Sequence, residues 1–304
     1  MSSPAPLPTS PRIALIVKRS VWDREMERKD NLLHDLLERA DPTVAAFKVA
    51  HEEHSETVGE VKKALADHGA RVTRIRRTRE RFDASNFDLV VTVGGDGTLL
   101  HASHSVADTP VLAINSAPTT SVGFFCGARQ GEVGAKLAAA LKGKLRCAAL
   151  TRMQVALNGQ IVSSRVLNDA LYCHQSPAVT SRYIVEHGPV REEHMSSGFW
   201  IGPAAGSTAA QRSAGGEVLP LSSQKLQFVV REPYTPHGNA YRLAHVIVKA
   251  GTAVRVRSKS RRMRIYVDGP HELLRVNLGD VVDFVQSPEP LKLLGISVRR
   301  KWGK

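Results

Sequence analysis

The sequence predicts an α/β fold in two parts: an N-terminal doubly wound, mostly parallel sheet domain, then a C-terminal antiparallel β-rich domain. Three observations carry this prediction. Two continuous apolar runs, Arg12 to Lys18 (RIALIVK) and Phe87 to Val93 (FDLVVTV), have the length and unbroken hydrophobicity of strands buried on both faces. Between them, Ser55 to His68 repeats apolar residues at helical spacing and stops at Gly69 before another strand candidate, which is a βαβ pattern. From about Leu150 the rhythm changes to short alternating runs separated by turn signals.

In the helix, Val58, Val61, Leu65 and Ala66 share one face, Ser55 is the N-cap candidate and Gly69 the terminator. A strand at Arg71 to Arg76 follows. The second apolar run leads into a glycine loop, a helix within Thr98 to Val106 and a strand at Val111 to Asn115. In the second half, Gln154 to Leu157 and Gln160 to His174 flank the hairpin signal Asn158-Gly159. Further strands are predicted at Arg182 to Glu186, Phe199 to Ile201, Leu226 to Val230, Ala244 to Lys249, Val254 to Val256, Met263 to Val267 and Val281 to Val285, with one short helix after Gly206. The expected divisions are a flexible Pro- and Ser-rich tail at 1–10, the α/β domain at 11–145, the β-rich domain at 146–285, and a segment at 286–304 that packs back on the first domain. No internal repeat of fixed period is present.

A chain of 304 residues accommodates two domains of roughly 100–200 residues each. With 42% hydrophobic and 23% charged residues it reads as an ordinary globular protein. No apolar run approaches the roughly 18 residues that span a bilayer, and the N-terminus lacks a signal-peptide pattern, so the expectation is a cytoplasmic enzyme without a membrane partner. Cys126, Cys147 and Cys173 are too scattered for a disulfide framework or paired metal ligands and read as small buried hydrophobes. His51 and His54, beside Glu52 and Glu53, read as a solvated helix face rather than a metal site. The net charge of +13 gathers in Arg74 to Arg81, Arg255 to Arg264 and Arg299 to Lys301. These clusters lack interleaved aromatics for base stacking. The reading is therefore solvated faces and a field that favours anionic nucleotides, not a nucleic-acid partner.

Three constellations carry chemistry. The run Gly94-Gly95-Asp96-Gly97-Thr98 follows the carboxyl end of a parallel strand, where open α/β sheets place ligands. There the backbone N–H groups of Gly95, Gly97 and Thr98 can approach phosphate oxygens, helped by a helix N-terminus. A carboxylate beside anionic phosphates is unfavourable unless it accepts a proton or holds a metal, so Asp96 is a general base or a magnesium contact. The bland alternative is a tight Gly-Asp-Gly turn. The second constellation, Gly198 to Gly216 (GFWIGPAAGSTAAQRSAGG), is built from small residues that either admit a ligand or let a helix pack tightly on a sheet. Ser207 and Thr208 are cap candidates, and the Ala209 backbone and Ser213 would face a nucleotide. The third, Asn168-Asp169, interrupts the apolar stretch Val166 to Tyr172; it would bond ribose hydroxyls or an adenine edge, or else mark a bulge or sheet edge. Neither a P-loop nor a GxGxxG fingerprint occurs.

Taken in order, GGDGT at 94–98, Asn115 with Gly123-Phe124, Asn168-Asp169 and GSTAAQRSAGG at 206–216 resemble the NAD kinase family across nearly all of Arg12 to Val285. The resemblance implies transfer of a phosphoryl group from ATP or polyphosphate, with Mg²⁺ or another divalent cation, to the 2′-hydroxyl of the adenosine ribose of NAD or NADH. It implies Asp96 as the base with Gly95, Gly97 and Thr98 beside it, and His101 and Phe124 as NAD contacts, with Phe124 packing on adenine. Asn168 and Asp169 would hold the nucleoside, and Thr208, Ala209, Ala210 and Ser213 would line its pocket in an interdomain cleft. A homodimer or homotetramer is implied as well. Ser196-Ser197-Gly198, AAGSTAA and LQFVVREP look similar to the plant-type NADH kinase subgroup. Where family members carry DGLIVSTPTGSTAY, this chain has Ser197 for the aspartate and Ala210 for the tyrosine, which alters the nicotinamide side of the pocket. Within the wider GGDGT group a lipid kinase is an alternative, and a non-catalytic dinucleotide sensor is another.

Overall fold

A computed structural model describes residues 5–28, 31–75, 81–235, 238, 240–270 and 272–298. The chain divides into two compact units. The first runs as far as Ala148 and takes back Lys292–Ser297; the second holds Ala149–Leu291.

In chain order the first unit contains β1 (Arg12–Val17), α1 (Val21–Met26), α2 (Leu32–Glu38), α3 (Ala45–Asp67), β2 (Arg71–Ile75), β3 (Leu89–Gly94), α4 (Asp96–Ser103), β4 (Val111–Asn115), β5 (Ala128–Arg129), α5 (Val133–Leu141) and β6 (Cys147–Leu150). The second contains β7 (Met153–Leu157), β8 (Gln160–Val166), β9 (Ala170–His174), β10 (Ser181–His187), β11 (Val190–Ser196), β12 (Phe199–Pro203), α6 (Ala210–Ser213), β13 (Leu226–Val230), β14 (His245–Val248), β15 (Ala253–Ser258), β16 (Met263–Val267), β17 (Glu272–Val276) and β18 (Val281–Gln286). The chain then returns as β19 (Leu291–Leu294).

The first sheet has the order β2-β1-β3-β4-β19-β6, with β5 against β4. The β1–β2, β1–β3, β3–β4 and β4–β19 pairs are all parallel. Every residue of β3 and β4 is buried, so both faces of the sheet are covered. Val61, Ala64 and Leu65 of α3 and Val133, Leu137 and Leu141 of α5 share one core with Ile13, Leu15, Leu89, Val91 and Ile114, while α4 packs against β1, β3 and β4. The doubly wound reading from the apolar runs holds. β19 joins this sheet from the far end of the chain; the segment beyond residue 298 lies outside the described residues.

The second unit holds two six-stranded antiparallel sheets, β11-β10-β15-β18-β7-β8 and β14-β13-β12-β9-β16-β17. Both contribute to one core, in which Phe199 lies 4.6 Å from Phe228, 4.9 Å from Tyr172, 5.2 Å from Tyr183 and 5.8 Å from Phe284, measured between ring centroids. Ring pairs at these separations add to plain area burial.

Several local expectations are corrected. Ser55 caps nothing: it lies inside α3, which begins ten residues earlier at Ala45. Gly69, at φ +62, does end that helix. The stretch 160–174 is two strands in different sheets, not one, and Asn168-Asp169 sits where the chain crosses between them. His54 is buried rather than solvated, with Nδ1 2.8 Å from Ser116 Oγ. Cys126 and Cys173 are buried, but Cys147 is only half-buried. Within the second basic cluster Arg255 pairs with Asp283 and Lys259 with Glu193; the first lies mostly, and the third wholly, outside the described residues.

Candidate active site

One candidate cluster is built at the carboxyl edge of β3. Gly94 ends that strand, Gly95 is the N-cap of α4, and Asp96 opens the helix. A β-carbon on Gly94 would come within 2.9 Å of Thr98 Cβ, so that position requires the absence of a side chain, whereas one on Gly95 would come within 2.6 Å of Ser121 Oγ, a hydroxyl that would have to turn aside. Gly97 is exposed and borders open space. His101 follows it by one helical turn and so stands on the same face. The Thr98 amide donates to the Gly95 carbonyl at 3.0 Å, which corrects the expectation that it is available to a phosphate.

The Asp96 carboxylate is fixed at both oxygens. The Phe124 amide donates to Oδ2 at 2.9 Å and the Phe125 amide to Oδ1 at 2.8 Å. The loop that supplies these amides is shaped by Asn115, whose Nδ2 donates to the Ser121 carbonyl at 2.8 Å. Gly123, at φ +58, leaves room for that amide: a β-carbon there would lie 2.5 Å from Asn115 Nδ2. This is why Asn115 and Gly123-Phe124 belong to one constellation with Asp96. Each carboxylate oxygen accepts more than one hydrogen bond, so a hydroxyl can still be received. The Phe124 side chain is buried and meets Phe125 edge-on at 5.0 Å.

Lys18 was not singled out by the sequence. Its stem passes over Gly94, with Cδ 3.2 Å from where a β-carbon would stand. Burial, and secondarily Arg24, hold its ammonium below the usual lysine pKa. Its position just past β1 was the available signal, since strand carboxyl ends are where ligands bind.

A separate cluster lies in the second unit. Asp268, at φ +47, accepts from the amides of Leu167 (2.9 Å), Asn168 (2.6 Å) and Asp169 (3.1 Å). The Asn168 side chain donates to Asp169 Oδ2 at 3.0 Å. Asp169 is 5% exposed; burial, and then the neighbouring Asp268 carboxylate, push its carboxyl up to about 7. Behind the corner, fully buried Arg152 donates through Nε to the Glu289 carbonyl at 2.6 Å, and the Glu289 carboxylate also meets Arg165. Asp268 was missed because its partners lie about a hundred residues away in sequence; the turn signal Asp268-Gly269 was the only local mark.

The small-residue passage has a packing explanation at its centre. β-Carbons on Gly202 and Gly206 would overlap the Asn168 carbonyl, and Gln211 Nε2 stands within 2.7 and 2.9 Å of the same two positions. Neither Ser207 nor Thr208 caps α6, whose N-cap is Ala209. Buried Ser207 instead donates to the Ala204 carbonyl at 2.7 Å and receives the Leu219 amide at 2.9 Å. Thr208 is half-buried and Ala209 exposed. Ala210 and Ser213 line an open cavity of about 500 Å³ together with Trp200, Ala214, Arg231 and Glu232.

Residues 13–145 match the family model of the ATP-NAD kinase N-terminal domain. The chain is 34% identical over 263 residues to a probable NADH kinase of Oryza sativa subsp. japonica, covering 79% of this chain and 81% of that one. It is 38% identical over 227 residues to an NADH kinase of Arabidopsis thaliana, covering 67% and 71%. Among solved structures, yeast NADH kinase complexed with NADH superposes with a TM-score of 0.68 at 14% identity, over 97% of this chain and 89% of that one. An NAD kinase from Archaeoglobus fulgidus in complex with ATP gives 0.65 at 18%, over 93% and 92%. The two distant structures match the fold, and the plant relatives carry the relationship: the chain belongs to the NAD kinase family.

Proposed function

We propose that this chain is an NAD(H) kinase that moves the γ-phosphoryl group of ATP to the 2′-hydroxyl of the adenosine ribose, with Asp96 as the general base. The observation that carries the assignment of the base is the doubly held Asp96 carboxylate at the N-terminus of α4. Fixed through both oxygens, it meets the ribose in one orientation and takes the hydroxyl proton as the oxygen attacks. The new bond forms to the γ-phosphorus, the bond to the β–γ bridging oxygen breaks, and ADP leaves. Amides at the start of α4 and the Lys18 ammonium favour the phosphate charge; Asn168 and Asp169 are the groups proposed to bond the nucleoside. Membership of the NAD kinase family does not favour the lipid-kinase and sensor alternatives.

Among the described residues no group of three or more His, Cys, Asp or Glu is arranged to hold a metal. A divalent cation fits better as the nucleotide's own complex, since Mg²⁺ commonly rides on substrate phosphates with few protein ligands; there it neutralises phosphate charge. The described helices include none long and apolar enough to cross a membrane. A homodimer or homotetramer in the cytoplasm is part of the proposal, and light scattering on the eluting protein tests the assembly.

The deciding experiment offers the purified protein MgATP with NAD, NADH, diacylglycerol and fructose 6-phosphate as separate acceptors. Phosphorylation of a dinucleotide alone supports the assignment. Transfer to the lipid or the sugar, with no dinucleotide product, overturns it.

A further inference from the structure

No step of the proposed transfer uses His54, yet its ring is buried between the two segments that flank the glycine loop. In the first sheet β3 runs between β1 and β4. The chain leaving each neighbour is bonded to the end of β3: the Lys18 amide donates to the Val93 carbonyl at 3.0 Å and the Ser116 amide to the Gly94 carbonyl at 3.1 Å. His54 joins these two segments. Its Nδ1 stands 2.8 Å from Ser116 Oγ, and the Lys18 backbone bonds to the ring in the sense that favours its protonated form, as a carbonyl acceptor does. One helical turn on, fully buried Thr57 brings Oγ1 to 3.3 Å from the Ser116 carbonyl. Glu53 accepts from the Thr119 amide at 3.3 Å and from the Thr119 hydroxyl. A helix that only covered a sheet would present apolar residues here. This turn of α3 instead directs three polar side chains at the loop after β4, the loop whose Phe124 and Phe125 amides fix the Asp96 carboxylate.

We infer that His54 is a positioning residue for phosphoryl transfer, holding the Lys18 segment and the Ser116 loop at one spacing across the end of β3 so that the Lys18 ammonium and the Asp96 carboxylate keep their alignment. The inference rests on the dinucleotide kinase reading above and extends it to a residue that acts through others. Ser116 is bonded through its amide to Gly94, through its carbonyl to Thr57 and through its hydroxyl to His54. Slack at Ser116 therefore passes both to Gly94, next to the N-cap of α4, and along the loop to the amides on Asp96. Burial, and then the Lys18 ammonium, hold the ring's pKa below the ordinary histidine value; Asp23 and His51 also face it, with opposite effects. A neutral imidazole has one donor and one acceptor, which suits a carbonyl at Lys18 and a hydroxyl at Ser116 and sets no second cation beside the Lys18 ammonium. A ring that only filled space would be replaced without kinetic loss by an apolar side chain of similar size.

The test compares wild type, His54→Leu, His54→Asn, Ser116→Ala and the His54→Leu/Ser116→Ala double variant for kcat and for KM with the dinucleotide, each well below its own unfolding midpoint. His54→Leu should lower kcat by about ten- to hundredfold, the scale of a misplacement on the order of 1 Å at a reacting centre, and leave the dinucleotide KM in place. His54→Asn sets an amide near the place of Nδ1, restores the bond to Ser116 and should recover most of the rate. Ser116→Ala should lose rate as His54→Leu does, and the double variant no more than the worse single one, because both cut the same connection. A wild-type kcat in folded His54→Leu, additive losses in the double variant, or an Asn variant no better than the Leu one overturns the inference and leaves His54 a packing residue. Should His54→Leu fail to fold, Ser116→Ala decides: a lowered kcat at unchanged dinucleotide KM supports the inference and a wild-type rate overturns it. Should the wild type transfer no phosphoryl group at all, the functional reading falls on that result. Calorimetry with MgATP on the same variants then decides for His54: weaker binding in His54→Leu supports its hold on the Lys18 segment, and wild-type affinity overturns it.

Discussion

The carbonyl group of Asn168 occupies the space that a β-carbon on Gly206 would need, its carbon lying 2.5 Å from that position. The corner that carries Asn168-Asp169 and the turn that leads into α6 are therefore one packed piece. Gly206→Ala should force them apart at about 1–3 kcal/mol or more, the usual cost of overpacking, and weaken dinucleotide binding together with stability. Urea unfolding and calorimetric binding on the same variant check this; a normal unfolding midpoint would show that the corner yields easily.

Asp96→Asn should lower kcat by about 10²–10⁴-fold, the range of a lost general base. The new amide also sets an NH₂ against one of the two N–H donors at Phe124 and Phe125, so a local cost of about 1–3 kcal/mol accompanies the kinetic loss. Dinucleotide affinity and the unfolding midpoint separate the two effects. A near wild-type kcat removes Asp96 from the base role.

The Asp169 carboxyl titrates at about 7 in the folded chain against an ordinary 3.8. The folded state thus binds more protons than the unfolded state between these values, and the site's contribution to stability is complete below about pH 4 and lost as pH rises toward 7. Urea denaturation across that window should show a declining contribution with a slope of at most about 1.4 kcal/mol per pH unit. Asp169→Asn should remove it. A variant with the wild-type slope would place the titration elsewhere.

Arg152 is fully buried and its guanidinium, held down by burial, has a pKa of about 10. Arg152→Met leaves Glu289 without this partner and lets the electrostatic support of Asp268 go with it. Loss of one member of a buried charged group costs about 3–5 kcal/mol, so chemical denaturation should show a large drop. A loss under about 1 kcal/mol would mean that Arg165 compensates.

What the sequence disclosed follows the range of the interactions involved. Val111–Asn115, Leu226–Val230 and Met263–Val267 were bounded correctly because apolar residues and turn punctuation define them locally. β11 escaped notice because Arg191, Glu192 and Glu193 break its apolar pattern, and Glu192 finds its partners in the Arg242 and Leu243 amides some fifty residues on. Ser55 was misread because a cap-type residue inside a long helix carries the same local mark as one at its start. GGDGT was legible as a site, but the reason its carboxylate is oriented lies in Asn115 and Gly123, and the reason Asn168-Asp169 keeps its shape lies in Asp268. The passage at Gly202 and Gly206 had two readings on sequence grounds; the Asn168 carbonyl decides for packing at those glycines, while Ala210 and Ser213 border open space.

The most direct measurement incubates the purified chain with MgATP and NADH and identifies the product by mass and by its oxidation with a dehydrogenase that accepts only the 2′-phosphorylated dinucleotide. The account predicts a single added phosphoryl group at the 2′-position, formed by the wild type and suppressed in Asp96→Asn. A stable, dinucleotide-bound protein that yields no 2′-phosphorylated product, or yields it at the same rate without the Asp96 carboxylate, would contradict it.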